Sequence, residues 1–182
     1  PAIHRAVGGG GDELRATFVS LDPGCSVVLE LPSGETILYD AGRLGSPEPG
    51  VDAISACLWS RGISRLDAVV LSHADADHYN ALPGVLKRFR VATVYVSPMM
   101  FEKENSAMRA LRQAIDEAGI PIREIWSGDR LTASASGRAE SEADNSPKLE
   151  VLPPPRTGVI GSDNANSIVL LVEHAGRRLL LT

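Results

Sequence analysis

The sequence has little of several features that usually direct a functional assignment. Aromatic residues make up only 4% of the 182 residues, so the core must be built from aliphatic side chains. The two cysteines, Cys25 and Cys57, lie far apart, which excludes zinc-ribbon spacing and predicts two buried free thiols. No apolar run approaches the ~20 residues that span a bilayer, and no signal peptide is recognisable. The net charge of -5 argues against a passive basic surface for nucleic acid, although bound metal ions could supply positive charge locally.

The pattern of elements indicates one layered α/β (α+β) domain. Three strands joined by short turns come first, then strands alternate with helices, and a hairpin around Ala175-Gly176 comes last. We expect a flexible lead-in over residues 1–13, a domain over 14–182, and a mobile surface loop at 133–146, where residues are small and polar. The apolar pattern of residues 81–89 predicts a helix that Asn80 caps.

One loop carries four side chains of the types that commonly bind metals. His73, Asp75, Asp77 and His78 follow the buried-type strand Ala68-Val69-Val70-Leu71 within six residues. In an extended segment, residues two apart face one side, so His73, Asp75 and Asp77 can converge on a common point. Imidazole and carboxylate ligands at this density suit one or two divalent cations. An alternative is that Asp77 caps the next helix in a solvated turn, but that leaves both histidines unexplained.

Other polar residues stand at strand ends and have weaker signals. Asp40 ends the third strand and could orient a metal-bound histidine from behind, or it could be an ordinary turn residue. A polar segment before the last hairpin could line the site or form a simple turn; its candidate residues are Asn164, Asn166 and Ser167.

These motifs resemble a known superfamily. Residues 71–78 read Leu-Ser-His-Ala-Asp-Ala-Asp-His and resemble the HxHxDH signature of metallo-β-lactamases in its HxDxDH variant. Residues 37–42, Ile-Leu-Tyr-Asp-Ala-Gly, resemble the superfamily's first motif. Together with residues 163–170 and 177–182, they resemble the C-terminal hydrolase domain of ComEC-type DNA-internalisation proteins.

The resemblance implies an αββα sandwich with two divalent metal ions, Zn or Mn. It assigns His73 and Asp75 to one ion and Asp77 and His78 to the other, gives Asp77 a catalytic part, and places Asp40 behind the site. It further implies a bridging aspartate in a motif after Thr182. We therefore expect the chain to be the first two-thirds of the domain, cut from a longer protein and weakly active by itself.

The sequence also departs from the ComEC-type pattern. Pro23-Gly24-Cys25-Ser26 stands where that family usually has Gly-Gln-Gly-Asp, and no histidine stands near Asn164 where other members have a third motif.

The leading hypothesis is a phosphodiesterase or nuclease domain with DNA as substrate, attached to a bacterial membrane channel. The alternatives are a stand-alone cytoplasmic hydrolase of small molecules, esters or thioesters, and a degenerate domain that binds partners without catalysis.

Overall fold

A six-stranded sheet forms the centre of the structure. The computed structural model describes residues 13–102, 105–131 and 146–182. Most of the predicted lead-in and of the predicted 133–146 loop lies outside these residues. The first strands, β1 (Arg15–Phe18), β2 (Gly24–Glu30) and β3 (Thr36–Arg43), form the predicted antiparallel meander.

The rest of that sheet is parallel. After helix α1 (Glu48–Ser60) and the short β4 (Arg65–Leu66), strand β5 (Ala68–Leu71) pairs with β3. Beyond it lie β7 (Val94–Val96) and β8 (Ile122–Glu124), giving the order β1-β2-β3-β5-β7-β8. The short β6 (Arg90–Val91) pairs with β4 in a separate two-stranded sheet. Because β5 is central, the loop that follows it lies at the middle of one sheet edge.

Helices cover one face of this sheet. Besides α1 they are α2 (Ala76–Tyr79), α3 (Leu82–Leu86) and α4 (Ser106–Glu117). Asn105 caps α4, accepting a hydrogen bond from the Met108 amide at 2.9 Å. No helix in the described ranges is long and apolar enough to cross a membrane.

The prediction that Asn80 begins a helix is wrong. Asn80 ends α2, and α3 begins two residues later. Its side chain instead pairs with the end of β3, accepting from Arg43 N at 3.0 Å and donating to Arg43 O at 2.7 Å. The Asn80 amide thereby ties the segment after β5 to the end of β3.

A second, three-stranded sheet covers the other face. Strands β9 (Lys148–Val151), β10 (Leu170–His174) and β11 (Arg177–Leu181) are antiparallel, in the order β11-β10-β9. A 3-10 turn (Asp163–Asn166) precedes β10. These sheets and the helix layer are the layers expected of the sandwich, in the order helix, sheet, sheet.

Alternation along the central strands explains the two cores. On β3, Leu38 packs with the helices, whereas Ile37 and Tyr39 pack between the sheets. On β5, Val69 packs with the helices and Val70 between the sheets. Both faces of these strands are therefore buried, which is why their sequences are continuously apolar.

Candidate metal centre

The His–Asp loop leaves the carboxyl end of β5 and enters α2 at once. Asp75 occupies the position before the first helical residue, in an extended conformation, but within the described residues its side chain makes no capping hydrogen bond. Asp77 and His78 lie within the single turn of α2. Asp77 therefore does not cap this helix, as the alternative interpretation of the loop requires, because it lies inside α2.

Close contact with β3 fixes the path of the loop. A Cβ atom on Gly42 would lie 2.5 Å from backbone atoms of Asp77, His78 and Tyr79. Any larger residue would push α2 away from the sheet. This contact gives a physical reason for the Asp-small-Gly motif at the end of β3.

Asp40 lies at an irregularity in β3. Cys25 pairs with Gly42 and Val27 with Tyr39, so Ser26 alone faces two residues of β3, Asp40 and Ala41. Asp40 has a positive φ of 56°, a conformation that aspartate tolerates better than most residues. The bulge turns the Asp40 side chain into the protein, where it is fully buried.

Hydrogen bonds converge on the Asp40 carboxylate. Its Oδ1 accepts from Ser72 N at 2.7 Å, and its Oδ2 accepts from Ser72 Oγ at 2.8 Å. His78 Nδ1 lies 2.7 Å from the same Oδ2. Ser72 Oγ is also 2.9 Å from His73 Nδ1. We call this set, Asp40, Ser72 and the two Nδ1 atoms, the buried side of the loop.

The opposite, open side carries the two Nε2 atoms and two carboxylates. His73 Nε2 is 3.3 Å from Asp75 Oδ2, and His78 Nε2 is 3.8 Å from Asp77 Oδ2. The imidazole centroids are 4.0 Å apart. His73 Nε2 is buried without a hydrogen-bond partner in the described structure, whereas the Asp75 side chain is 43% exposed and the Asp77 side chain 37%.

The pKa values of the two histidines are shifted in opposite directions. Burial lowers the pKa of His73 below its ordinary value, and the charge of His78 lowers it further. Asp40 and Asp75 act in the opposite direction but do not outweigh these two effects. Burial acts in the same direction on His78, but the hydrogen bond and charge of Asp40, with Asp77 and Asp75, outweigh it and raise the pKa of His78. A metal ion would therefore meet a neutral His73 more readily than a neutral His78.

The open side fits divalent cations. Two ligand atoms each ~2.1 Å from one tetrahedral ion are about 3.4 Å apart, close to the spacing in both His–Asp pairs. With their Nδ1 atoms engaged on the buried side, both histidines present Nε2 forward, as metal-bound histidines do. A cation also gives the unpartnered His73 Nε2 a partner. The residues present therefore suit the metal ions that the resemblance implies.

Cys25 belongs to the buried side, which the sequence did not indicate. Its Sγ and donor atoms of Asp40 and His78 all lie within 4.8 Å of one another, a grouping that could itself hold a cation. Burial, with the charge of Asp40 and a hydrogen bond to it, raises the pKa of the Cys25 thiol to about 12. The thiol keeps its proton, and Asp40 and His78 are already bonded to each other, so we interpret this group as structural support.

The polar segment near β10 approaches the loop through its backbone. Ile168 N donates to Ser72 O at 2.9 Å, and Ile168 O accepts from Tyr39 at 2.6 Å. The Asn166 side chain is bonded to both Val159 N and Val159 O, at 2.7 and 3.0 Å. Asn164 and Ser167 lie in and directly after the 3-10 turn. The segment thus braces the end of β5, and the Asn166 amide serves its own loop.

Comparisons with known proteins identify the superfamily to which the chain belongs. The profile of the metallo-beta-lactamase superfamily matches residues 20–182. The chain therefore belongs to the metallo-beta-lactamase superfamily, and its fold is the one that this superfamily shares. Among curated proteins it is similar to ComE operon protein 3 of Bacillus subtilis, with 32% identity over 125 residues. That match covers 69% of this chain and 14% of the relative.

Solved structures support the fold alone. The FEZ-1 metallo-beta-lactamase from Legionella gormanii superposes with a TM-score of 0.55 at 14% identity, covering 90% of this chain and 57% of that one. The Cronobacter sakazakii metallo-beta-lactamase gives 0.55 at 17% identity, covering 91% and 57%. The Rm3 metallo-beta-lactamase gives 0.56 at 14% identity, covering 91% and 56%. The chain thus spans a little over half the length of these enzymes.

Proposed function

We propose that this chain carries the metal-binding loop of a hydrolase that cleaves phosphodiester bonds in DNA, as part of a bacterial membrane-associated protein of the ComEC type. The superfamily membership supports a hydrolase. The observation that carries the finer proposal is the HxDxDH loop, with Asp75 at its middle position, on a chain similar to ComE operon protein 3.

In this proposal the open side holds two cations. His73 and Asp75 bind one ion, and Asp77 and His78 bind the other, because each pair has the spacing of two ligands of one ion. When bound, such ions lower the pKa of water and stabilise negative charge on phosphate oxygens. Zn²⁺ and Mn²⁺ both suit imidazole and carboxylate ligands.

The protein's own residues position this chemistry. Asp40 and Ser72 hold the histidine rings from behind, so that the Nε2 atoms keep their direction. The Asp77 carboxylate is partly exposed on the open side, where it can accept the proton of the attacking water. No side-chain nucleophile is required.

The negative charge of the protein supports the idea that a polyanionic substrate binds only together with metal ions. The chain carries a net charge of -5, and the open side adds two carboxylates in one place. A DNA phosphate would be repelled by this surface, whereas two divalent cations reverse the local charge. We therefore expect DNA binding at this site to require the metal ions.

The test is DNA cleavage, with Mn²⁺ or Zn²⁺, by the longer protein of which we propose this chain to be a part. We expect Asp77→Ala and His78→Ala each to lower the rate about 100-fold or more, because a catalytic metal ion contributes several kcal/mol to the transition state. Asp52→Ala is the matched control, since Asp52 is an exposed carboxylate on α1 that pairs with Arg88.

Two results would count against the proposal. Undiminished cleavage in both loop variants would place the activity elsewhere. Hydrolysis of esters or thioesters without cleavage of DNA would favour a small-molecule hydrolase of the same fold.

A further inference from the structure

Ser72 stands between Asp40 and His73. It is the residue directly after β5, it is fully buried, and it immediately precedes the first histidine of the loop. Its Oγ lies 2.8 Å from Asp40 Oδ2, 2.9 Å from His73 Nδ1 and 3.2 Å from His78 Nδ1. A hydroxyl group has one hydrogen, so it can donate to one of these atoms only.

The proton count decides which way that hydrogen points. An ionised carboxylate only accepts hydrogen bonds. At 2.8 Å, the contact between Ser72 Oγ and Asp40 Oδ2 is favourable only if the hydroxyl hydrogen lies between the two oxygens. Ser72 Oγ must then accept from His73, so the Nδ1 atom of His73 carries a hydrogen.

His78 reaches the same state by a direct contact. Its Nδ1 is 2.7 Å from Asp40 Oδ2, nearer than to Ser72 Oγ, so it donates to the carboxylate. With this pairing, each neutral ring would carry its hydrogen on Nδ1 and its lone pair on Nε2. Asp40 acts on His78 directly, whereas its effect on His73 requires an intermediary.

We propose that Ser72 is a positioning residue that links Asp40 to His73: its hydroxyl donates to the Asp40 carboxylate and accepts from His73 Nδ1. Through this link, which we call the relay, one buried carboxylate fixes the same tautomer in both histidines. Ser72 is the partner that the described part of the chain provides for His73 Nδ1. Without it, the neutral ring populates the Nε2–H form, which has no lone pair facing the open side.

The inference rests on the assignment of His73 and His78 as metal ligands, but it does not depend on the substrate or on hydrolysis. It goes beyond orientation by Asp40 because it assigns distinct roles to the two histidines. His78 should depend on Asp40 alone, and His73 on Asp40 and Ser72 together.

The experiment is long-range ¹H–¹⁵N NMR on the metal-free protein, at a pH where both rings are neutral. We expect the Nδ1–H tautomer for both histidines in the unmodified protein. In Ser72→Ala, His73 should shift toward Nε2–H while His78 keeps Nδ1–H. Ser72→Thr, which keeps the hydroxyl, should restore the original pattern.

A competitive chelator titration with Zn²⁺ provides the second readout. Loss of a group that orients a metal-bound histidine typically weakens binding about 10- to 100-fold, and we expect this for Ser72→Ala. The matched control is Ser97→Ala, because Ser97 is a buried serine that directly follows the neighbouring strand β7. Its Zn²⁺ affinity and histidine tautomers should not change.

The unmodified protein alone can overturn the proposal. An Nε2–H tautomer at His73 would mean that Ser72 donates to the ring, whether or not Ser72→Ala folds. An unchanged His73 tautomer in a folded Ser72→Ala variant would likewise refute the relay. Neither result depends on catalytic activity, so failure of the relay and failure of the nuclease proposal are distinguishable.

Discussion

The two sides of the His–Asp loop differ in how completely their polar atoms are paired. On the buried side, Asp40 accepts from the Ser72 backbone, the Ser72 hydroxyl and His78. On the open side, His73 Nε2 has no hydrogen-bond partner among the residues that the structure describes, and the nearby carboxylates are partly exposed. A paired buried network is rigid, whereas unpaired acceptors at one point favour a cation. We infer that the buried side supports the fold and the open side serves the metal ions.

The largest expected effect comes from removing the charge on the buried side. In Asp40→Asn the new residue still tolerates the positive φ. However, its amide NH₂ group would face groups that now donate to the carboxylate, which are Ser72 N, Ser72 Oγ and His78 Nδ1. We expect a loss of about 3 kcal/mol in the free energy of unfolding, because donors would be left buried and unpaired. Urea unfolding of the metal-free protein measures it.

Asp67→Asn is the control for that change. Asp67 accepts a hydrogen bond from Thr36 N at 2.9 Å near the other end of β3, but its side chain is 23% exposed. Its loss should cost about 1 kcal/mol. Equal losses in both variants would show that the buried side has no special part in stability.

The second prediction tests whether contact with β3 holds the loop in place. Gly42→Ala puts a methyl group against the backbone of α2, and we expect a loss of about 1–3 kcal/mol with weaker Zn²⁺ binding. Gly119→Ala is the control, since its Cβ meets open space although its φ of +68° is unfavourable. It should lose some stability but keep its Zn²⁺ affinity. Weakened binding in both variants would mean that general destabilisation, not displacement of the loop, is responsible.

The third prediction concerns pH and the Cys25 thiol. Its pKa is about 12 in the folded protein against 9.0 for an ordinary thiol, so between these values the folded state holds a proton that the unfolded state has lost. This contribution to stability is fully present below pH 9 and is lost as the pH rises toward 12. Between pH 9 and pH 10, we expect the free energy of unfolding of Cys25→Ser to fall by about 1 kcal/mol less than that of the unmodified protein. If the free energy of unfolding fell equally in the two proteins across this pH range, the raised pKa of Cys25 would be contradicted.

Local patterns were enough to predict the layered fold and the metal loop. The loop is contiguous, so His73, Asp75, Asp77 and His78 could be grouped without knowing the fold. The buried side could not be assembled in this way, because Cys25 and Ser72 meet Asp40 only through strand pairing and a bulge. Ser72 stood inside the motif, yet nothing in the sequence showed which atoms its hydroxyl would face. Asn80 was misread for the same reason, since its partner Arg43 lies 37 residues away.

The smallest expected effect on stability is on the open side. Asp75→Asn removes a carboxylate whose side chain is 43% exposed and whose neighbour, His73, has a lowered pKa and so adds little positive charge. We expect the unfolding free energy of the metal-free protein to change by less than about 0.5 kcal/mol, whereas Zn²⁺ binding should weaken at least ~10-fold. The exposed helical residue Asp116, changed to Asn, should alter neither quantity. A large loss of stability in metal-free Asp75→Asn would mean that the open side also supports the fold, and the division between the two sides would have to be abandoned.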